Sequence, residues 1–242
     1  MKDNFSKQSD LYAKFRPGYP NSLYGYLYNR CSQFNAAWDC GTGNGQVAHQ
    51  LAKQFNHVIA TDISATQLEH ALKSTNINYK LASAENSEIE PQSIDLVTVA
   101  QAIHWFDFDK FYKEVCRVAK PKCLLAYWAY ELPKIEPVVD RTVIHFHDEV
   151  MGDYWDIERE YWRKKYTNIL YPLKSFESRE FTYKTTWKYE NLEGYLGSWS
   201  AVQHFIHKQG YSPVSTLLKE LKSQWTKPKQ VEFPIFLYAG RI

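Results

Sequence analysis

The chain has 242 residues, 44% of them hydrophobic and 23% charged, and Lys+Arg 29 against Asp+Glu 27 leaves a formal net charge of +2. That length supports one large α/β domain, or one domain carrying an insertion, and speaks against two independent domains. The near balance of charge, with no basic run longer than "RKK" at residues 163–165, disfavours a dedicated nucleic-acid surface, and no apolar stretch approaches the roughly 20 residues that span a bilayer.

The opening "MKDNFSKQSD" lacks the apolar core of a signal peptide, and Cys31, Cys40, Cys116 and Cys123 form no CxxC pair. A soluble, cytoplasmic protein with reduced thiols is the expectation. "AAWDC" reads as a first strand, followed by "GQVAHQLAKQF" as a helix with Val47, Leu51 and Phe55 on one face. "HVIATDI" is a second strand, and "SATQLEHALKS" is its helix, opened by Ser64 and Gln67 as a capping box and buried through Leu68 and Leu72. "INYKLAS" and "SIDLVTVAQ" are the third and fourth strands, "DKFYKEVCRVA" a helix, Lys120-Pro121 a turn and "CLLAYWAY" a fifth strand.

Beyond Tyr130 the alternation stops, and "IEPVVDRTVIHFHDEV" and "DIEREYWRKKYTNIL" read as two inserted helices over one end of the sheet. "EREYWRKKY" is most simply a solvated charged face with Tyr161 and Trp162 turned inward. "HFHDE" and "HFIH" place ligand types at helical spacing without a metal motif, so no metal is expected. "EFTYKTTWKY" alternates as a strand, "NLEGYLGSWSAVQHFI" and "SPVSTLLKELKSQW" are two helices, and "QVEFPIFLYAGRI" is a last strand.

The stretch "WDCGTGNGQVAHQL" joins the first strand to a helix through Gly41, Gly43 and Gly45, an arrangement in which backbone N–H groups and a helix N-terminus meet a polar ligand. A dinucleotide G-x-G-x-x-G requires its third glycine where Gln46 stands, and a phosphate P-loop requires G-K-[ST]. Asp62 follows 17 residues after Gly45, close to the roughly 20 expected of a carboxylate that accepts from two ribose hydroxyls.

"DCGTGNG" resembles the D/E-x-G-x-G-x-G loop of class I S-adenosylmethionine-dependent methyltransferases, and "YAKFRPGYP", "AQAIHWFD" and "GYLGSWSAVQHF" resemble phrases of its type 11 branch, similar to trans-aconitate methyltransferase-like proteins. The resemblance implies a doubly wound, mostly parallel, seven-stranded Rossmann-like α/β sheet with a helical cap inserted after strand 5, and S-adenosyl-L-methionine as cofactor. It divides the chain into an N-terminal lid (1–30), a cofactor-binding core (31–130), an inserted cap (131–175) and a C-terminal completion of the core (176–242). It also implies that Asp39 acts near the ligand's amino group, with Gly41, Thr42, Gly43 and Gly45 around its methionine and ribose, and Asp62 and Ile63 at the ribose. Ser83, Ala84 and Glu85 fall at the adenine, with Ser83 and Glu85 both open as the partner of its amino group, and Ala100, Gln101 and Ala102 lie beneath the reacting methyl.

Tyr12, Phe15 and Arg16 would form a lid, Arg16 either meeting a carboxylate of cofactor or substrate or fixing the N-terminal segment. On the acceptor side stand Phe15, His104, Trp105 and Trp199, with His104 a candidate base or a structural histidine. The expected partner is a small-molecule acceptor bearing a carboxylate, hydroxyl or amine. The alternatives are a non-catalytic cofactor-binding or interaction module, and a nucleic-acid base methyltransferase, which "AQAIHW" disfavours by lacking the D/N-P-P-Y/F tetrad.

Overall fold

The computed structural model describes residues 15–169 and 171–242. In chain order these form α1 (Asn21–Tyr28), β1 (Ala36–Cys40), α2 (Gln46–Leu51), β2 (His57–Asp62), α3 (Ala65–Glu69), β3 (Ile77–Leu81), β4 (Ile94–Ala100), α4 (Phe108–Val118) and β5 (Ala119–Tyr130). Then come α5 (Pro137–His145), α6 (Arg159–Arg163), β6 (Lys174–Trp187), α7 (Tyr189–Gly197), α8 (Ser200–Gln209), α9 (Val214–Leu221) and β7 (Lys229–Arg241).

The strands make one seven-stranded sheet in the order β3-β2-β1-β4-β5-β7-β6. Pairings among β1 to β5 are parallel, and β7 runs antiparallel to β5 and β6. The sheet is therefore doubly wound: the chain moves outward from β1 to β3, then returns to lay β4 on the other side of β1. The carboxyl ends of β1 and β4 flank the point where that order reverses, which is where open α/β sheets bind ligands.

Burial explains why β4 reads as a continuous apolar run. Leu96 faces one core cluster with Val47, Leu51 and Trp128, while Val97 and Val99 face the other with Trp38, Phe111 and Val115. Asp95 is the polar exception near the strand's start. Its Oδ2 accepts from the N–H groups of Asn35 and Ala36 at 3.0 and 2.9 Å, and Lys120 Nζ lies 3.0 Å from its Oδ1.

Several local expectations need correction. Lys120-Pro121 is not a turn between elements; the residues belong to β5, whose start is irregular, with Lys122 at φ +71. The helix after β2 ends at Glu69, so Leu72 is 44% exposed rather than buried, and Ser64 caps the helix start by accepting from the Gln67 N–H at 3.3 Å. The helix expected over residues 156–170 contracts to α6, and the single helix expected over 191–206 breaks in two at Ser198 and Trp199. At that break the Ser198 hydroxyl donates to Tyr195 O at 2.6 Å, Trp199 is extended, and the Ser198 carbonyl is left to a side chain from elsewhere. Among the described residues no helix is long and apolar enough to cross a membrane.

Candidate cofactor and acceptor clefts

The turn after β1 is organised from beneath by a buried carboxylate. Asp39 is 1% exposed; its Oδ2 accepts from the Thr42 hydroxyl at 2.6 Å and the Ala48 N–H at 3.0 Å, and its Oδ1 from the Thr98 hydroxyl at 2.9 Å. Ala48 N–H is one of the donors that the first turn of α2 cannot satisfy internally, so Asp39 holds both the loop and the helix start. Burial pushes its pKa up to about 6, against the pull of the hydrogen bonds from Thr42, Thr98 and Ala48.

Gly41 has φ +66, and a Cβ there would sit 2.6 Å from Ala102 Cβ beyond the end of β4. The β1 and β4 ends thus approach as closely as they do because position 41 lacks a side chain. Gly43 donates its N–H to Asp62 Oδ2 at 2.8 Å, while Asp62 Oδ1 accepts from the Ser64 N–H at 2.9 Å. Asp62 therefore ties the glycine turn to the end of β2 with both oxygens, and a carboxylate oxygen can accept from more than one donor. Ile63 beside it is half-buried. Gly45, at φ +79, is the N-cap of α2.

At the ends of β3 and β4 the side chains are smaller or already oriented. Ala84 is 2% exposed, Ser83 bridges to Asn86, and Glu85 Oε1 accepts from the Asp107 N–H at 3.0 Å. Gln101 takes φ +59, donating its N–H to Trp128 O at 2.9 Å. Its side-chain Nε2 is buried without a hydrogen-bond partner among the described residues.

Two clefts open here. One of about 390 Å³ is lined by the turn residues Asp39, Gly41, Thr42 and Gly43, with Ala100 and Arg16. The other, about 580 Å³, is lined by Gln101, His104, Trp105 and Trp199 together with Arg159 and Trp162. Arg16 and Tyr130 line both. Arg16 donates from Nη1 to the Tyr130 hydroxyl at 2.8 Å and from Nη2 to the Ser198 carbonyl at 2.9 Å, so it fastens the N-terminal segment to β5 and to the break between α7 and α8.

His104 is 5% exposed and shares a 2.6 Å hydrogen bond from Nδ1 with the Tyr166 hydroxyl. Burial, reinforced by the Arg159 charge, lowers its pKa to about 3, and burial likewise lowers that of His147 to about 4. Both are neutral at physiological pH. Their folded values lie below the unfolded value near 6.5, so below that pH the unfolded chain binds more protons and stability falls with pH. At pH 5 each histidine costs about 2 kcal/mol, Asp39, whose raised pKa makes the folded chain take up a proton over the same range, offsets about 1 kcal/mol, and the midpoint of thermal unfolding drops by about 5–10 °C from pH 7.5 to pH 5. A His104→Asn variant, followed by calorimetry at both pH values, keeps about a third of that drop; an unchanged drop would assign the acid sensitivity elsewhere.

Of the residues singled out from the sequence, Phe15 packs on α7, where a Cβ at Gly194 would collide with its ring, and it lines neither cleft. Asp62 touches the turn through Gly43, but Asp62, Ser83 and Glu85 line neither cleft, and Tyr12 lies outside the described residues. The reading of "EREYWRKKY" as a solvated face fails at Arg159, whose guanidinium lies 3.5 Å from the Trp162 ring centroid and 4.5 Å from that of Trp155. The signal was present: Trp155, Arg159 and Trp162 recur at helical spacing on one face. Tyr130 and Tyr195 were also missed; both line the larger cleft.

Comparison with known proteins agrees with this geometry. Residues 38–127 match the family model described as a methyltransferase domain. A Dictyostelium discoideum protein described as a methyltransferase is 35% identical over 99% of this chain and 95% of its own length. A structure from Anaeromyxobacter dehalogenans, described as a type II methyltransferase, superposes with TM-score 0.85 at 33% identity, covering 94% of this chain and 98% of that one. A Haemonchus contortus phosphoethanolamine N-methyltransferase, solved with S-adenosylhomocysteine, shares the fold at TM-score 0.54 and 18% identity, over 98% of this chain and 57% of its own. The chain belongs to the class I S-adenosylmethionine-dependent methyltransferases.

Proposed function

We propose that this enzyme methylates a small-molecule acceptor held in the larger cleft, with S-adenosylmethionine seated over the glycine turn. The observation that carries this reading is that the two clefts share Arg16 and Tyr130 as walls, so donor and acceptor sites adjoin at the carboxyl end of β4. When bound, the cofactor supplies an activated methyl group on a sulfonium. The side-chain-free cradle at Gly41 fits such a ligand.

In this reading Asp62 accepts from the ribose hydroxyls, Asp39 supports the loop around the ligand's amino end, Arg16 meets its carboxylate end, and Ser83, Ala84 and Glu85 border the adenine. Glu85 Oε1 accepts from the Asp107 N–H, and both Ser83 and Glu85 stay open as the partner of the adenine amino group. Gln101 orients the acceptor, while Trp105 and Trp199 exclude water around it. His104, neutral and hydrogen-bonded to Tyr166, orients rather than removes a proton, which suits an acceptor that is nucleophilic without a base. The division into lid, core, cap and completed sheet is kept, with one refinement: α7 contributes Tyr195 and the break before α8 contributes Trp199, so the cap draws on residues beyond 131–175.

Incubation with methyl-labelled cofactor and separate panels of carboxylic acids, phenols, amines, transfer RNA and duplex DNA tests this proposal. Label transfers to a member of the small-molecule panels. Transfer only to nucleic acid would contradict it.

A further inference from the structure

The larger cleft holds a cation that no carboxylate neutralises among the described residues. Arg159 Nη2 donates to His147 Nε2 at 3.2 Å, Nε is buried without a partner, and the guanidinium is stacked between Trp155 and Trp162. His147 is itself fixed: it is 2% exposed, and its Nδ1–H donates to Asp148 Oδ1 at 2.7 Å, which leaves the Nε2 lone pair to receive Arg159. Trp162 is pinned in turn by its indole N–H donating to Tyr130 O at 2.9 Å, and Trp155 by the same kind of bond to His147 O at 2.9 Å.

The acidic residues of this cleft are Glu131 and Asp156. Glu131 Oε1 is held by Lys165 Nζ at 2.8 Å, and Asp156 Oδ2 lies 3.9 Å from His204 Nδ1. Neither forms an ion pair with Arg159. The second guanidinium lining the cleft, Arg16, repels it, and burial together with that repulsion lowers the Arg159 pKa to about 10. A guanidinium held by a neutral acceptor and two indoles, with its Nε–H unspent and no counter-ion among the described residues, is preorganised for an anion.

We propose that Arg159 is the specificity-determining residue that binds an anionic group, carboxylate or phosphate, of an acceptor with a flat apolar body, and that His147 positions it. The inference rests on the assignment of this cleft to the acceptor. It divides the two guanidiniums by place: Arg16 borders the cleft of the glycine turn, whereas Arg159 borders only the acceptor cleft.

The test uses the full chain saturated with S-adenosylhomocysteine and follows tryptophan fluorescence, since Trp155 and Trp162 flank the site. The probes are benzoate, trans-cinnamate and phenyl phosphate, each against a neutral counterpart: benzamide, trans-cinnamamide and benzyl alcohol. At least one anion binds about tenfold or more tightly than its counterpart, and the carboxylate and phosphate arms show which anion is preferred. Arg159→Gln removes the preference, Arg159→Lys restores it only in part, and His147→Phe weakens anion binding several-fold, all with S-adenosylhomocysteine affinity retained. Equal binding of anion and neutral probe, a preference that survives Arg159→Gln, binding of no probe, or loss of S-adenosylhomocysteine from Arg159→Gln each overturns the proposal. Failure of the unaltered protein to bind S-adenosylhomocysteine instead overturns the reading on which it rests.

Discussion

An Asp62→Ala variant binds S-adenosylhomocysteine at least about a hundredfold more weakly than the unaltered chain. The carboxylate accepts from the Gly43 and Ser64 N–H groups, so its removal loosens the turn that the ligand must sit on. It also removes the acceptor proposed for two ribose hydroxyls. Hydrogen bonds to a charged group are worth about 1.5–3 kcal/mol each, and about 1.4 kcal/mol is tenfold in affinity, so losing two yields at least that factor. Asp62→Asn, which keeps the shape and one acceptor oxygen, recovers part of the loss. Titration calorimetry of the three proteins checks this, with circular dichroism to show that the alanine variant is folded. Affinity within threefold of the unaltered chain would remove Asp62 from the site.

The second large effect is on stability. Gly41→Ala lowers the thermal midpoint by about 5–15 °C and abolishes cofactor binding. A side chain at φ +66 costs about 1–2 kcal/mol, and forcing its Cβ against Ala102 Cβ, 2.6 Å away on the half-buried turn after β4, adds about 1–3 kcal/mol of overpacking. At about 2–4 °C per kcal/mol for a chain of this size, that range of midpoints follows. Relief requires the ends of β1 and β4 to part, and Gly41 and Ala100 line the same cleft. Gly25, in α1 with nothing within 4 Å of a Cβ, is the control: Gly25→Ala holds or raises the midpoint, because alanine is favoured over glycine inside a helix by about 0.5–1 kcal/mol. A drop of the same size in both variants would refute the steric account.

The core of the fold could be read from the chain because its determinants are local. Strand runs such as "HVIATD" and "IDLVTVA" alternate with helices of clear period, and Gly41, Gly43 and Gly45 mark their turn by composition alone. Reading failed where the decision is tertiary. Nothing local in "GYLGSWSAVQ" announces that the helix breaks at Ser198; the break is held by Arg16, 182 residues away in sequence, bonding the freed carbonyl. Leu72 fits a helical period, yet α3 ends before it, and Tyr79 from β3 donates to the Leu72 carbonyl at 2.6 Å.

The acceptor side was harder for a similar reason. Arg159 lies in a run of charges that looks solvated, and its burial depends on Trp155, Trp162 and a histidine 12 residues earlier. His104 could be named as a site residue from its place after β4, but its loss of basicity could not, since that comes from Tyr166 and Arg159 closing over it. Asp39 offers the complementary lesson. Its place in the motif was plain, whereas its three inward hydrogen bonds, which make it a support for the loop, emerge only when α2 and β4 are packed around it.

The central claim is that the turn from Asp39 to Gly45 holds S-adenosylmethionine, and the most direct measurement is calorimetric titration of the purified chain. The account predicts micromolar binding of S-adenosylmethionine and S-adenosylhomocysteine with one site per chain, and no heat from NAD. Binding of NAD in their place, or of neither sulfur ligand, would contradict it.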